Sequence, residues 1–371
     1  MHRRRLYATL CLCGLLMTTG TSVLAQSTDG PKQENQPPFL KTLRELELSN
    51  TQKREVLKVV REYRGNYRSQ KFKIELLKIL TPEQVETLDA LKSPASSRAI
   101  PDDIRANLDV PYAERPGTDP KFLSLDIYAP QKAAGKLPVM VMIHGGGWRI
   151  GDKTNRAVGI DKAKFFTSQG FVYVSINYRL TPAVQHPGHI IDVAAAIAWV
   201  HDHIEEYGGS PETLFVMGHS AGAHLAALVA TDENRLKKHK KDLSIIDGVV
   251  LLDGAGYDIP KKLKLGNSVA NSMYLNAFTE DEATQANASP IHHVEAGKQI
   301  PPFLIIPIAR RADSNQMSEA LRDALITADG DAAIHVAEGK THGSLNRDIG
   351  QPGDPPTTAM MEFLNKIMIG K

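Results

Sequence analysis

The sequence has little cysteine: two residues in 371, Cys11 and Cys13, both near the start of the chain. The rest of the chain carries no thiol, which excludes a disulfide framework, a cysteine–zinc site and a cysteine nucleophile there. A chain of this length can bury a core large enough to fold without cross-links. We therefore expect its stability to rest on hydrophobic packing.

Net charge is also small, because 44 Lys and Arg face 42 Asp and Glu, which leaves +2. This balance argues against a dedicated nucleic-acid binder. Hydrophobic residues make up 42% and charged residues 23%, which is typical of a soluble globular protein.

Long apolar runs are missing, although the first residues contain a short one. Arg3 to Arg5 precede an apolar segment from Leu10 to Met17, and Val23-Leu24-Ala25 resembles a cleavage site. The pattern predicts that residues 1–25 are an export signal and that the mature protein is periplasmic or secreted. An uncleaved anchor is the alternative, but the apolar segment is too short for a stable membrane span.

Two or three helices are expected after a polar linker at residues 26–38. Residues 39–92 show helical spacing of apolar side chains and contain a short repeat, in which Leu48-Ser49-Asn50-Thr51-Gln52 matches Leu80-Thr81-Pro82-Glu83-Gln84. Each copy has the pattern of a capping box. This predicts a helical hairpin, followed by a second linker at residues 93–103. The paired element resembles the repeats of small periplasmic helical proteins of the Spy/CpxP type.

The helical segment is rich in positive charge, with nine Lys or Arg against three acids over residues 53–78. One interpretation is a docking surface for an acidic partner or a polyanion, and residues 39–92 could also form a dimer contact. The simpler one, which we favour, is a solvated helical face.

Residues 104–371 show a different pattern, in which short β-branched runs alternate with amphipathic helical stretches. The runs are 122–128, 137–143, 171–177, 213–217, 248–252, 302–308 and 332–336. Strands buried on both faces and separated by helices predict an α/β domain with a mostly parallel sheet and helices on both sides.

The strongest catalytic motif is Gly218-His219-Ser220-Ala221-Gly222, which lies between an apolar run and a helical stretch. A nucleophile elbow requires this strand–turn–helix context, in which the turn exposes the serine hydroxyl at the end of the strand. We expect Ser220 to be the nucleophile and the Ala221 N–H, at a helix N-terminus, to face developing negative charge.

A glycine run, His144-Gly145-Gly146-Gly147-Trp148, directly follows the run 137–143. Glycines allow backbone N–H groups to approach a substrate oxygen without obstruction by side chains. We expect Gly146 and Gly147 to join Ala221 in an oxyanion hole. Trp148, the next residue, either lines the acyl pocket or belongs to the core.

A serine nucleophile needs a histidine base and an orienting acid, and in this strand–turn–helix context they follow the serine in the order acid, histidine. His342 is the expected base, because Thr341-His342-Gly343 comes shortly after the last strand-like run. The other histidines considered after Ser220 are His239, His292, His293 and His335. A metal site at His292-His293 is not expected, because adjacent residues in an extended stretch point to opposite sides.

The acid is expected to follow the run 302–308, where Asp313 is the nearest carboxylate. Asp323, Asp329 and Asp331 fall in or after a predicted helix at 316–328. A helix-capping role for Asp313 is the alternative interpretation.

Together these motifs resemble bacterial α/β-hydrolase esterases of the hormone-sensitive-lipase-like and the feruloyl and acetylxylan esterase-like groups. The resemblance extends from about residue 104 to 369 and includes Asn177-Tyr178-Arg179-Leu180 and Ala288-Ser289-Pro290 besides the motifs above. It implies an α/β-hydrolase fold with the triad Ser220, Asp313 and His342. One departure is that such esterases often carry His-Gly before the acid, where this chain has Pro307-Ile308.

The expected function is therefore hydrolysis of short-acyl carboxylic esters, of acetyl or feruloyl type, through an acyl-enzyme. The substrate would be a small ester or an acylated saccharide, and neither a cofactor nor a metal is needed. Two alternatives are an amide hydrolase of the same fold, similar to an arylformamidase, and a binding protein that has kept the fold without catalysis.

Overall fold

The structure is a computed structural model and describes residues 48–63, 70–81, 84, 100–265 and 268–371. The expected export signal at 1–25, the linker at 26–38 and most of the linker at 93–103 lie outside the described residues. So do parts of the helical segment at 39–92.

Two helices, α1 (Asn50–Glu62) and α2 (Gln70–Ile79), form the described part of the N-terminal segment. Both predicted capping boxes are confirmed. The Ser49 hydroxyl accepts from the Gln52 N–H at 3.1 Å, and the Thr81 hydroxyl accepts from the Gln84 N–H at 3.2 Å. The Gln52 side-chain amide also donates to the side-chain carbonyl oxygen of Gln84 at 2.7 Å, so the two copies of the repeat are in contact.

Within the described residues, the remaining chain builds one eight-stranded sheet. Its strands are β1 (Ile104–Pro111), β2 (Ser124–Pro130), β3 (Leu137–Ile143), β4 (Val172–Ile176), β5 (Gly209–His219), β6 (Gly248–Leu252), β7 (Phe303–Ile306) and β8 (Ala332–Ile334). They lie in the order β1-β2-β4-β3-β5-β6-β7-β8. β3 to β8 are parallel, while β2 is antiparallel to both β1 and β4.

Alternation along the central strands divides the core between the two faces of the sheet. In β3, Val139 and Val141 belong to one buried cluster, and Met140 and Met142 belong to the other. A strand that is apolar at every position must be covered on both faces. This explains why the sequence shows continuous apolar runs here instead of an apolar–polar alternation.

Helices cover both faces. They are α3 (Ile160–Ser168), α4 (Gly188–His203), α5 (Ala221–Thr231), α6 (Glu233–Lys237), α7 (Ile259–Leu265), α8 (Ser268–Phe278), α9 (Glu282–Asn287), α10 (Ala312–Thr327), α11 (His342–Asp348) and α12 (Pro355–Ile369). Side chains of α4, α5 and α10 pack in the first cluster, and those of α3 and α12 pack in the second. None of the described helices is long and apolar enough to cross a membrane.

The predicted α/β architecture is confirmed, and each of the seven apolar runs overlaps one of the strands β2 to β8. β1 was not predicted. It is an antiparallel strand paired only with β2, and its residues alternate between buried or half-buried and exposed, so it lacks a continuous apolar run. The parallel strands β5 to β8 place their carboxyl ends along one edge of the sheet, where a parallel α/β sheet forms its ligand site.

Candidate active site

The turn between β5 and α5 has the geometry of a nucleophile elbow. Ser220 adopts φ 55° and ψ −119°, a strained conformation for a residue with a side chain. A Cβ at Gly218 would lie 2.2 Å from the Gly222 carbonyl oxygen, and one at Gly222 would lie 2.1 Å from the Ile143 carbonyl oxygen. Only glycine fits either position, and the tight turn presents Ser220 at the edge of the sheet.

The glycine loop after β3 also uses conformations that favour glycine. Gly146 and Gly147 have φ of 110° and 59°. A Cβ at Gly146 would lie 2.1 Å from the Ile150 carbonyl oxygen, and one at Gly147 would lie 2.5 Å from Met273 Sδ. The loop therefore folds tightly between its own next turn and α8.

Three of the predicted residues line one small cavity with Ser220. The cavity has a volume of about 230 Å³ and is lined by Gly147, Trp148, Ser220, Ala221, Ala255, Gly256, Met273, Tyr274 and Arg311. Gly147 and Ala221 thus lie beside Ser220, as an oxyanion hole requires. Gly146 belongs to the same loop but does not line the cavity.

Trp148 is buried and lines the cavity as well, so the structure combines the two interpretations of this residue. Its ring makes edge contacts with Tyr274 and Phe278, at centroid distances of 5.2 and 4.7 Å. Its indole N–H donates to His224 Nδ1 at 3.3 Å. Burial lowers the pKa of His224 to about 3, so this imidazole is neutral at physiological pH and can accept that hydrogen bond.

His342 begins α11, directly after the N-cap residue Thr341. Its Nδ1 lies 2.5 Å from Asp253 Oδ2. Its backbone carbonyl accepts from His219 Nε2 at 3.1 Å, and the two imidazole rings lie 4.5 Å apart. His219 is the neighbour of Ser220, so the elbow itself holds His342 at this edge of the sheet. Because Nδ1 binds a carboxylate, Nε2 is the nitrogen that would serve as a base.

Asp253 directly follows β6, which is the neighbour of β5 in the sheet. The Ser220 N–H donates to the carbonyl of Leu252, the residue before Asp253, at 2.9 Å. Burial raises the pKa of Asp253, but the positive charge of Arg311 and the contacts with His342 outweigh it and hold that pKa well below its ordinary value. The carboxylate is therefore ionised at any physiological pH.

The expectation that Asp313 orients the base is wrong for this structure. Asp313 lies in the first turn of α10, which begins four residues earlier than predicted. Its carboxylate contacts Lys262 Nζ at 2.6 Å and Arg311 Nε at 3.3 Å. The residue that reaches His342 from this loop is Arg311, whose Nη1 lies 3.2 Å from His342 Nδ1. Asp253 occupies the place that Asp313 was expected to take.

The sequence did contain a signal for Asp253. The run 248–252 is one of the clearest apolar strands, and Asp253-Gly254 follows it at once. The residue also satisfies the order serine, acid, histidine. Asp253 was not predicted, because the acid was expected one strand later, after the run 302–308.

Metal ligation has no support among the residues that the structure describes, where no group of three or more His, Cys, Asp or Glu side chains could hold an ion. His292 and His293 lie in a short 3₁₀ turn and face different carboxylates. His292 Nε2 is 3.9 Å from Asp258, whereas His293 Nε2 is 3.8 Å from Asp232.

Known proteins are similar in sequence to the larger part of this chain. A family model, BD-FAE, matches residues 125–321, more than half of the chain. Esterase LipQ of Mycobacterium tuberculosis (strain ATCC 25618 / H37Rv) is 32% identical over 250 residues, which cover 62% of this chain and 55% of LipQ. The probable isoprenylcysteine alpha-carbonyl methylesterase ICMEL1 of Arabidopsis thaliana is 28% identical over 254 residues, 63% of this chain and 52% of ICMEL1. The chain thus spans about half the length of these curated relatives.

Solved structures share the fold at low identity. Esterase B from Lactobacillus rhamnosis (HN001) superposes with a TM-score of 0.61 at 20% identity, covering 86% of this chain and 96% of that one. A truncated carbohydrate esterase from gut microbiota gives a TM-score of 0.59 at 21% identity, covering 72% of this chain and 98% of that one. The strand order and these superpositions confirm the α/β-hydrolase fold.

The family match begins at residue 125 and does not reach the N-terminal helices. The resemblance of residues 39–92 to Spy/CpxP-type repeats therefore has no support from it and stays a prediction. For the larger part of the protein the sequence match, the fold and the elbow agree, and the chain belongs to the BD-FAE family of α/β-hydrolases.

Proposed function

We propose that this protein hydrolyses carboxylic esters, with Ser220 as nucleophile, His342 as general base and Asp253 as the orienting acid. The observation that carries the proposal is the 2.5 Å contact between His342 Nδ1 and Asp253, held beside the strained elbow of Ser220. The relatives named as esterases support the same reaction class.

Each step follows from this arrangement. His342 takes the hydroxyl proton at Nε2 as Ser220 attacks the ester carbonyl, and the ionised Asp253 stabilises the imidazolium that forms. Negative charge develops on the carbonyl oxygen, where the N–H groups of Gly147 and Ala221 receive it. His342 then protonates the leaving alcohol, and water hydrolyses the acyl-enzyme by the same route in reverse.

A preference for short acyl groups is part of the proposal. The cavity beside Ser220 is bounded on one side by side chains of α8. Met273 and Tyr274 of α8 line the cavity beside the glycine loop. The buried Trp148 makes an edge contact with the Tyr274 ring. A long acyl chain that extends from Ser220 would meet Met273 and Tyr274 sooner than an acetyl or butyryl group, so we expect a preference for short acyl groups.

The experiment is hydrolysis of p-nitrophenyl acetate, butyrate and octanoate by the wild type and Ser220→Ala. We expect the acetate or butyrate to give the highest kcat/KM and Ser220→Ala to be inactive. A folded wild type that cleaves none of the three would refute the esterase proposal. Hydrolysis of p-nitroacetanilide, measured in parallel, would then show whether the site cleaves amides.

Export and an acylated saccharide substrate are further parts of the proposal. Export is supported by Arg3 to Arg5, the apolar segment and Val23-Leu24-Ala25. Fractionation of expressing cells and N-terminal sequencing test export, with a mature protein starting at Gln26 as the expected result.

A partner or dimer contact through residues 39–92 would appear as an assembly larger than one chain in size-exclusion chromatography. That assembly should be lost on removal of the segment.

A further inference from the structure

A line of alternating charges runs from α7 to the candidate base. Lys262 Nζ lies 2.6 Å from Asp313 Oδ2, and Asp313 Oδ1 lies 3.3 Å from Arg311 Nε. Arg311 Nη1 donates to Asp253 Oδ2 at 3.2 Å and to the Asp253 backbone carbonyl at 3.1 Å. Asp253 Oδ2 in turn binds His342. The Lys262 and Arg311 side chains are both only 7% exposed.

Arg311 and His342 compete for the same oxygen of Asp253. A guanidinium has no acceptor and stays protonated, so the 3.2 Å approach of Arg311 Nη1 to His342 Nδ1 brings two donors together at one carboxylate oxygen. The second contact of Nη1, to the Asp253 backbone, fixes where that oxygen lies. A Ser-His-Asp reaction needs only the carboxylate, and Arg311 is an additional cation against it.

We propose that Arg311 is a positioning residue that anchors Asp253 and, together with Asp313, sets the pH at which His342 becomes a base. This inference rests on the proposed function. It gives Asp313, the carboxylate that does not reach His342, a role in balancing the charge of Arg311.

The direction of each effect follows from charge. The positive Arg311 disfavours the imidazolium of His342, so it allows His342 to act as a base at lower pH than Asp253 alone would permit. Asp313 opposes Arg311 and thus favours the imidazolium. Removing Arg311 and removing Asp313 must therefore change the pH dependence in opposite directions.

Other titratable side chains lie against His342 or on its own segment. The His219 ring packs against the His342 ring at an interplanar angle of 40°. Lys340 lies 3.0 Å from Asp348 and 2.5 Å from Asp354, and Arg347 binds Asp348 at 2.9 Å, so two cations face two carboxylates. Lys262 pairs with Asp313.

The test is the pH profile of kcat/KM for p-nitrophenyl acetate in Arg311→Met and Asp313→Asn. We expect the acid limb of Arg311→Met to move up by about one pH unit, which lowers kcat/KM on that limb about tenfold. Asp313→Asn should move the limb down by a few tenths of a unit, because Asp313 is a third exposed and acts across Arg311. Arg310→Met, at the exposed neighbour of Arg311, is the matched control and should leave the limb in place.

If Arg311 and Asp313 had a purely structural role, both variants would have a lower kcat and neither acid limb would move, or both limbs would move in the same direction. Either result would overturn the proposal. Arg311→Lys keeps the charge but not the forked geometry, so its limb should stay near that of the wild type while kcat falls. If Arg311→Met does not fold, Asp313→Asn and Arg311→Lys decide the question.

Failure of this inference can be told apart from failure of the proposed function. The pKa of the His342 imidazole can be followed by proton NMR without any substrate, with His342→Gln to assign the signal. An inactive wild type would refute the esterase proposal, while the NMR titrations of Arg311→Met and Asp313→Asn would still show whether the pKa moves up and down as expected.

Discussion

Replacing Asp253 with Asn separates the acid that the structure selects from the one that the sequence favoured. The change keeps the shape of the side chain but removes its charge. An Asn amide can donate to His342 Nδ1, which would leave the proton on Nε2, the wrong nitrogen for a base. The loss of the 2.5 Å contact with the carboxylate also removes the stabilisation of the imidazolium.

The expected loss is large. Wrong-tautomer substitutions of this kind reduce kcat by about 10⁴, equivalent to about 5.5 kcal/mol of transition-state stabilisation. The assay is kcat for p-nitrophenyl acetate at a pH above the acid limb. Circular dichroism must show a folded protein first, because Arg311 loses its charged partner and breaking a buried ion pair costs about 3–5 kcal/mol.

Asp313→Asn is the matched control, since it is the same substitution in a carboxylate that also binds Arg311. At the same pH its kcat should stay within a few-fold of the wild type. If Asp313→Asn were the variant that lost 10⁴ and Asp253→Asn kept its activity, the assignment of the acid from the structure would be refuted.

Three further changes test the elbow, the cavity and a buried lysine. Gly222→Ala should lower the free energy of unfolding in urea by more than about 2 kcal/mol, because its Cβ would lie 2.1 Å from the Ile143 carbonyl oxygen. Gly135→Ala, which has open space around it, is the control and should not lower it. Equal stability of the two variants would contradict the elbow geometry. Met273→Ala should raise kcat/KM for octanoate relative to acetate about tenfold by opening the cavity, and an unchanged ratio would show that α8 does not limit chain length. Burial lowers the pKa of Lys162 to about 7, so between pH 7 and its ordinary value of 10.5 the unfolded chain binds more protons and stability rises with pH. Lys162→Met should remove about 1 kcal/mol per pH unit of that rise, measured as the free energy of unfolding at pH 7 and 9; parallel slopes would place the charge elsewhere.

The sequence predicted the parts of the fold that depend on local pattern. Continuous apolar runs located strands β2 to β8, because a strand covered on both faces cannot alternate. β1 was not predicted, because it is an edge strand that pairs only with β2 and its residues alternate between buried or half-buried and exposed. The capping boxes at Ser49 and Thr81 were predictable because each needs only residues three apart.

The candidate nucleophile and the candidate base were also proposed from local sequence. Gly218 and Gly222 carry the steric demands of the turn around Ser220 within five residues, and His342 follows the last strand closely. The acid has no comparable local requirement. A carboxylate that follows any of the parallel strands β6 to β8 reaches the same edge of the sheet, so the motif order alone does not separate Asp253, after β6, from Asp313, after β7.

What distinguishes the two carboxylates is the cation between them. Arg311 lies at the start of α10, where its guanidinium binds Asp253 through Nη1 and Asp313 through Nε. A base beside two carboxylates and no cation would hold its proton strongly, and a base beside the cation alone would hardly be protonated at all. The arrangement gives His342 one carboxylate directly and the second only across a guanidinium. If that balance matters, the double variant Arg311→Met/Asp313→Asn should have an acid limb between those of the two single variants, because the removed charges have opposite signs. A double variant whose limb lay outside that interval would mean that the two side chains act on His342 through packing rather than through charge.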